Sequence, residues 1–450
     1  MTDAERAAHR VYEELLTRIG EANPRPRIEP VRRLAELAGS PQLSYPVIQV
    51  AGTNGKTSTS RAIESLLRAH GLHTGLFTSP HLVDFTERFQ LDGVPVGGHV
   101  LADAWEELRL PLQLVDAELE AAGQGPITFF EALAVLAFAI FADAPVDVAV
   151  IEVGMGGEWD ATNIADATIA VFTPIDLDHL TILGSDIAAI ARTKAGIIKR
   201  GSTVVTAVQH PQALSELAEA AAYHDAHLYV AERDFGLGDD RLAVGGRLIE
   251  VRGLNGHGYD PVFVPLHGGH QARNAALAVV AVEAFLGAER PVPGEVLGEG
   301  LAQLTSPGRL QLIGTEPIVY VDAAHNPHGA EALTRAVSES FTFSELALVV
   351  GVLGEKDAPG LLAALAPIAD TAFVTAVDSP RSLAADRLAE LAVEAFDGAP
   401  LQTLDTLTEA LDAARAWASS AEGRAVLVVG SVLLAGEAIR LARSEGWGSA

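Results

Sequence analysis

One stretch constrains this chain more than any other. A β-rich run, YPVIQVAG from Tyr45, leads into GTNGKTS over 52–58. Apolar residues Ile63, Leu66 and Leu67 then recur at i, i+3, i+4 spacing before Gly71. The pattern predicts a strand, a glycine loop and a helix over Lys56–His70 with one buried face. Glycines let a polyphosphate approach the backbone, and the helix start offers N–H groups and a partial positive charge. Lys56 adds a full charge, and Thr57 can give its hydroxyl to Mg²⁺. Gly52, Thr53, Asn54, Gly55, Lys56, Thr57 and Ser58 are therefore read as a nucleotide loop. The long form of such loops wants glycine where Val50 stands, so the match is to the short form G-T-N-G-K-T. A glycine turn that binds nothing is the competing explanation.

The same alternation continues. Helix 129–142 precedes a buried strand over Asp147–Val153, and further strands are expected at Thr168–Thr173 and Thr203–Val208. Helices are expected over 2–20, capped by Thr2 or Asp3, and over Arg25–Leu37. Alternating strands and helices indicate a parallel sheet covered on both faces, with ligands beyond the carboxyl ends of its strands. Residues 235–268 turn glycine-rich and strand-like, as in a small antiparallel insert, and helix 270–286 follows. TSPGRL at 305–310 reads as a linker. After it IVYVDA, LALVVGVL, TAFVTAV and AVLVVG start a fresh α/β series. The expected fold is α/β. A P-loop-type parallel-sheet domain with a small antiparallel insert fills 1–304, and a smaller Rossmann-like α/β domain fills 305–450.

Composition narrows the classes. With 450 residues and 49% hydrophobic residues the chain can bury sizeable cores. There is no cysteine, which excludes disulfides, zinc-thiolate sites and cysteine nucleophiles. Thirty-one basic against 59 acidic side chains give a formal charge of −28. Such a surface repels nucleic acid, so no nucleic-acid partner is expected. The most apolar window, 132–142, is bounded by Glu131 and Asp143 and is far short of the roughly twenty residues of a membrane span. The first residues mix acids with bases and lack a signal-like apolar core. A cytoplasmic protein without a membrane partner is expected.

Several motifs occur in one order along most of the chain: TSPHL at 78–82, ERF at 87–89, TFFEA at 128–132, EVGMGG at 152–157 and DATN at 160–163. DLDHLTILG at 176–184, TKAGIIK at 193–199, HQARN at 270–274, SPGRL at 306–310, DAAHNP at 322–327 and GVLGEKD at 351–357 complete the set. With the short loop, this order resembles the folylpolyglutamate synthase/dihydrofolate synthase family of the Mur ligase superfamily. Other Mur ligases carry a nucleotide-sugar domain ahead of the loop, and the short stretch before Gly52 favours the folate branch. Two positions depart from the family pattern: Glu158 where a basic residue is usual, and Ala323 where glycine is common.

The resemblance implies an ATP-dependent ligase. It would add L-glutamate to a folate, and to dihydropteroate, through an acyl phosphate, and a monomer is expected. The first domain would bind ATP and folate, and the second would be the glutamate-ligase domain. Glu152 ends an otherwise apolar strand and suits Mg²⁺, which prefers oxygen ligands. By resemblance Ser79, Glu152 and His179 hold two magnesium ions, although His179 by residue type alone reads as a hydrogen-bonded core histidine. Asp178 would orient its ring. Lys194 reads as a surface lysine by composition, whereas the resemblance implies a lysine carbamylated by CO₂ beside the metals. Pro80, His81, Phe129, Phe130, Asp160 and Asn163 are the expected substrate contacts. Phe129 and Phe130, with Phe85, suit a flat pterin ring as well as they suit core packing. Asn274, Arg309 and Asp322 would meet the nucleotide, and His325, with Asn326, the incoming amino acid at a domain cleft. Lys356 and Asp357 are explained equally by a solvated turn. Two rivals stand beside this reading: a Mur-type amino-acid ligase acting on a cell-wall precursor, and a nucleotide-dependent switch protein.

Overall fold

The computed structural model describes residues 2–20, 25–178, 180–184 and 186–448, including every side chain except those of Leu180 and Thr181. It divides into two compact units. The first comprises Met1–Arg241, Leu248–Val264 and Ala272–Leu304; the second comprises Leu242–Arg247, Pro265–Gln271 and Thr305–Ala450.

The first unit opens with helices α1 (Asp3–Leu16) and α2 (Glu29–Leu37). Thr2 caps α1 in a reciprocal box with Glu5, and the helix stops at Leu16, four residues before the end expected at Gly20. Helix α2 starts at Glu29 instead of Arg25, because Pro26 and Pro30 confine its first turn to the residues around Pro30. Strand β1 (Val47–Ala51), α3 (Lys56–Ala69) and β2 (Thr74–Phe77) come next. They are followed by short β3 (Phe89–Leu91) and β4 (Val94–Pro95), then α4 (Gly98–Ala121) and α5 (Phe129–Asp143). The series continues with β5 (Val148–Glu152), β6 (Ile169–Phe172), α6 (Leu180–Leu183) and α7 (Ile187–Ala195). It ends with β7 (Thr203–Thr206), α8 (Pro211–Tyr223) and β8 (His227–Val230).

These strands form one sheet in the order β4-β3-β2-β5-β1-β6-β7-β8. All pairs from β2 to β8 are parallel, and only the β2-β3-β4 edge is antiparallel. From β1 the chain runs to β2 on one side, and from β6 it runs to β7 on the other. The crevice at the carboxyl ends of β1 and β6 is thus a topological switch point. Register places Val50 level with Glu152 and Ala51 level with Phe172. Helix α5 is buried on nearly every face, which explains why its sequence is apolar without period. Strands β9 (Gly236–Ala243), β10 (Gly246–Arg252) and β11 (Gly258–Val264) make the small second sheet. The two-residue connection between β9 and β10 requires an antiparallel pair. Helices α9 (Gly269–Phe285) and α10 (Gly294–Ala302) follow.

The second unit contains β12 (Gln311–Thr315), β13 (Ile318–Val321), α11 (Pro327–Ser340), β14 (Glu345–Val350) and α12 (Ala358–Leu365). It continues with β15 (Thr371–Val374), α13 (Ala385–Ala395), β16 (Leu401–Thr403), α14 (Leu407–Ser419), β17 (Arg424–Val429) and α15 (Val432–Glu445). The sheet order is β12-β13-β17-β14-β15-β16. It is parallel except at β12, which pairs antiparallel with β13.

Candidate active site

The glycine loop leaves β1 under tight constraint. Gly52 has φ +147°, and a Cβ there would stand 1.8 Å from Thr173 Oγ1, so no side chain fits. Thr53 ties the loop to the segment after β6. Its N–H donates to the Pro174 carbonyl at 2.9 Å. Its hydroxyl donates to the Asp176 carbonyl and accepts from Asp176 N–H, both at 3.0 Å. Asn274, 7% exposed, lies against Gly55, whose Cβ would meet its Oδ1 at 2.8 Å. Lys56 opens α3, and its Nζ donates to the carbonyls of Gly52 and Thr53 at 3.3 Å each. Ser58, one turn in, is buried.

Three predicted metal-side residues converge here. Glu152 is 1% exposed. Its two carboxylate oxygens lie 2.9 and 3.0 Å from Thr57 Oγ1, and Oε2 accepts from Ser79 N–H at 3.2 Å. Strand β2 delivers Ser79, β5 delivers Glu152 and α3 delivers Thr57. Hydroxyl and carboxylate oxygens are the donors Mg²⁺ takes. Among the described residues no group of three or more His, Cys, Asp or Glu gathers. Mg²⁺ keeps water and takes phosphate oxygens beside one or two carboxylates. His179 lies outside the described residues.

Lys194 is not a surface lysine. It sits at the end of α7, 5% exposed, and its Nζ donates to the Gly52 carbonyl at 2.8 Å. Burial, and then the charge of Lys56, push its pKa down to about 7, against the pull of Asp178 and Asp160.

Asp160 and Asn163, expected as substrate contacts, make hydrogen bonds that organise this corner of the protein. Asp160 Oδ2 accepts from Met155 N–H at 2.8 Å. Its Oδ1 accepts from the N–H and hydroxyl of Thr162 at 2.9 and 2.6 Å. Burial raises its pKa against these bonds. Asn163 Nδ2 donates to the carbonyls of Glu158 and Gly196 at 3.0 and 3.1 Å, and Glu158 N–H donates to the Thr193 carbonyl at 2.8 Å. The EVGMGG turn is thereby clamped to the end of α7 that carries Lys194. A Cβ at Gly157 would stand 2.6 Å from the Lys194 carbonyl oxygen. The side chain of Glu158 is exposed, so its departure from the family pattern leaves the turn intact.

The aromatic candidates lie together. His81 Nδ1 accepts from Arg88 Nε at 2.9 Å, which in a neutral ring leaves the proton on Nε2. Pro80, reached through a cis peptide, is exposed. Phe129 is 4% exposed, with the Arg88 guanidinium carbon 5.5 Å from its ring centroid. Phe130 packs against Phe77 and under Gly154. Core packing therefore accounts for most of both rings. Tyr12 of α1 stacks on Phe85 at 4.7 Å and meets His81 edge-on at 5.6 Å. A lone tyrosine on an amphipathic helix gave no sequence signal. Arg61 was also missed; its i+4 spacing from Thr57 was the available clue.

In the second unit Asp322, 6% exposed, accepts from the N–H groups of Leu310 and Ala324 at 2.8 Å each. Burial raises its pKa, and Arg309 opposes this. His325 Nδ1 donates to the Ala323 carbonyl at 2.9 Å. Ala323 is not among the residues with positive φ, so alanine is at ease there. Asn326 caps α11 through Gly329 N–H, and Asp357 caps α12 through Gly360 N–H, a capping role that accounts for both.

Comparison with known proteins now adds to this geometry. The Mur ligase middle domain matches residues 50–282, and the Mur ligase glutamate ligase domain matches 308–432. A dihydrofolate synthase/folylpolyglutamate synthase of Mycobacterium tuberculosis is 43% identical over 441 residues, covering 92% of this chain and 90% of that one. The Bacillus subtilis protein of the same description is 34% identical over 366 residues, covering 80% and 84%. Among solved structures, Mycobacterium tuberculosis folylpolyglutamate synthase complexed with ADP matches with TM-score 0.93 and 40% identity. That match covers 98% of this chain and 99% of that one. Neither a cell-wall-precursor ligase nor a switch protein is favoured by these relatives. Among the described residues no helix is long and apolar enough to cross a membrane. On both domains and on nearly its full length, the chain belongs to the dihydrofolate synthase/folylpolyglutamate synthase family of Mur ligases.

Proposed function

We infer that this protein is an ATP-dependent ligase joining L-glutamate to a folate, and to dihydropteroate, through an acyl phosphate. The observation that carries this reading is the convergence of Lys56, Thr57, Ser79, Glu152 and Lys194 at the carboxyl ends of β1, β2 and β5. We assign ATP and folate binding to residues 1–304 and glutamate ligation to 305–450. The protein acts as a cytoplasmic monomer on small molecules, without nucleic-acid or membrane partners. Its net charge of −28 supports the nucleic-acid part.

A free carboxylate is a poor acyl donor at neutral pH, and phosphorylation supplies a leaving group. The acceptor carboxylate oxygen attacks the γ-phosphorus of ATP, the bond to the β-γ bridging oxygen breaks, and ADP leaves. The amine of L-glutamate then attacks the acyl carbon, phosphate leaves, and the amine loses its proton. Residues 52–58 cradle the phosphates, and Lys56 stabilises charge during transfer. Asn274, Arg309 and Asp322 contact the nucleotide. His325 takes the amine proton: with Nδ1–H committed to the Ala323 carbonyl, Nε2 is the basic nitrogen of its neutral ring. Pro80, His81, Phe129 and Phe130 border the acceptor, and Asp160 and Asn163 act by holding the EVGMGG turn against the end of α7 that carries Lys194.

Glu152, Ser79 and Thr57, with His179, would hold Mg²⁺, which supplies charge neutralisation on the phosphates. Lys194 is proposed to carry a carbamate. Only a neutral amine attacks CO₂, and a pKa near 7 leaves about half of Lys194 neutral at pH 7. An ordinary lysine would be neutral to about one part in three thousand. The test of the whole reading is a matrix of dihydropteroate, tetrahydrofolate and its diglutamate, each with ATP and glutamate, read by mass spectrometry. A glutamate increment on either of the first two is expected. ATP hydrolysis that ignores every acceptor would sink the reading in favour of a switch.

A further inference from the structure

Arg61 is a cation beside the phosphate loop that the scheme above does not use. It lies on α3 four residues after Thr57, so both side chains share one face of the helix, one turn apart. The residue is partly exposed, yet its Nε is shut off from water with no acceptor among the described residues. Three carboxylates act on it electrostatically: Glu87, Glu152 and Glu64. Each is engaged elsewhere. Glu64 accepts from Arg68 Nε at 3.0 Å and Thr74 Oγ1 at 2.7 Å. Glu87 accepts from the N–H groups of Leu82, Val83 and Asp84 at 2.9, 3.2 and 3.0 Å. Glu152 accepts from Thr57 and Ser79. A guanidinium offers five N–H donors in a planar fork that matches a carboxylate. A buried donor left unsatisfied is destabilising, so this arrangement points to an anion that the protein itself does not provide.

We propose that Arg61 binds the carboxylate of the acceptor substrate, the one that becomes phosphorylated, and holds it beside the phosphate loop. The inference rests on the ligase reading above and names a residue for its first step. That step must bring a carboxylate to within about 3–3.5 Å of a polyphosphate, two anions inside a protein of net charge −28. Lys56 and the start of α3 serve the phosphates. A carbamate on Lys194 would replace a cation by an anion, so it cannot serve the acceptor. Arg61 lies among Glu152, on the metal side, and Glu87, whose accepted N–H bonds shape the loop after Ser79. It is thus a cation on the acceptor side, beside Arg88, whose Nε is given to His81, and arginine keeps its charge at neutral pH even when buried. If Arg61 were only a counter-charge for Glu87 and Glu152, it would steady the loop but would not sense whether the acceptor carries a charge.

Calorimetric titration separates the two. Wild type, Arg61→Met and Arg61→Lys are each titrated with dihydropteroate and with its carboxamide, at saturating ADP and Mg²⁺. The carboxamide keeps the shape and removes the charge. Wild type should prefer the carboxylate by roughly ten- to a hundredfold, the range of a hydrogen bond to a charged group. In Arg61→Met that preference should fall to within about threefold, with ADP affinity unchanged. Arg61→Lys keeps the charge, loses the fork and should fall between. It also decides the matter if the methionine variant does not fold: an undiminished preference in Arg61→Lys overturns the proposal. A full preference in Arg61→Met, in a protein whose wild type ligates glutamate, overturns the proposal alone. A wild type that binds neither probe overturns it together with the functional reading.

Discussion

Lys194 Nζ lies 2.8 Å from the carbonyl oxygen of Gly52, so a buried lysine of α7 reaches back to the first glycine of the phosphate loop. The bond places an amine of lowered pKa next to Lys56, whose charge is one cause of the lowering. A carbamate formed there would put an anion where two ammonium groups otherwise repel each other. Lys194→Ala should therefore be nearly inactive, with partial recovery in acetate. Reversible loss of wild-type activity on bicarbonate depletion should accompany it. Ligation by Lys194→Ala at the wild-type rate in CO₂-free buffer would contradict the carbamate.

The same lysine should leave a mark on stability. Its folded pKa is about 7, below the ordinary lysine value of 10.5. Between these values the unfolded chain binds the proton and the folded one does not, so folding stability rises with pH across that window. Below about pH 7 both states are protonated and the cost of burying the charge is fully present. Lys194→Met, compared with wild type by urea unfolding in CO₂-free buffer, should gain on the order of a few kcal/mol at pH 6.5. The gain should shrink by pH 9.5. An advantage independent of pH would mean that Lys194 is ionised alike in both states.

Lys56→Ala should fold normally and fail to ligate. Its Nζ donates to the carbonyls of Gly52 and Thr53 at 3.3 Å each, and the residue is only partly buried, so it contributes little packing. Charge contacts made in a transition state are worth roughly 3–4 kcal/mol, or about a hundred- to a thousandfold in rate. Single-turnover ligation by mass spectrometry reads the loss directly. Turnover above about a tenth of wild type would remove Lys56 from phosphate chemistry.

Glu152→Gln keeps the size of a buried side chain and removes its charge. An amide can still accept from Ser79 N–H and meet the Thr57 hydroxyl, so the melting temperature without ligand should change little. A neutral ligand holds Mg²⁺ far less well than a carboxylate. The magnesium concentration for half-maximal ligation should rise by roughly tenfold or more. Unchanged metal dependence would place Glu152 outside the metal shell.

Much of this site was legible because its residue types are tied to strand ends. Gly52, Lys56, Ser79 and Glu152 each follow or close an apolar run, and a parallel sheet gathers such ends on one edge. Asp160 and Asn163 show the limit. A motif identifies a carboxylate and an amide but not where they turn, and both turn onto backbone groups that close contacts bring within reach. Lys194 was separable from a surface lysine only through the family resemblance, since its burial depends on α7 packing beside β1. Strands β3, β4 and β12 gave no signal because runs of three, two and five residues are too short to show a period. Prolines 26 and 30 moved the start of α2, where apolar spacing alone suggested an earlier one.

The clamp beneath Lys194 gives a last expectation. Gly157 has ordinary φ, so alanine there meets no backbone strain. Its Cβ would nevertheless stand 2.6 Å from the Lys194 carbonyl oxygen and 2.8 Å from that of Thr193. Both are backbone atoms at the end of α7, fixed by Glu158 N–H and by Asn163 Nδ2 through Gly196. They can move only if α7 moves, and α7 carries Lys194 to Gly52. Gly157→Ala should therefore cost about 1–3 kcal/mol of stability, the usual range for overpacking. It should also lower kcat at temperatures where the protein is still folded. Gly258→Ala is the control: it also has ordinary φ, and its Cβ would meet nothing within 4 Å. That variant should melt within a degree or two of wild type and ligate normally. Comparing kcat for the two variants well below their melting temperatures separates displacement of Lys194 from general loss of stability. Equal activities there would show that the clamp does not position the lysine.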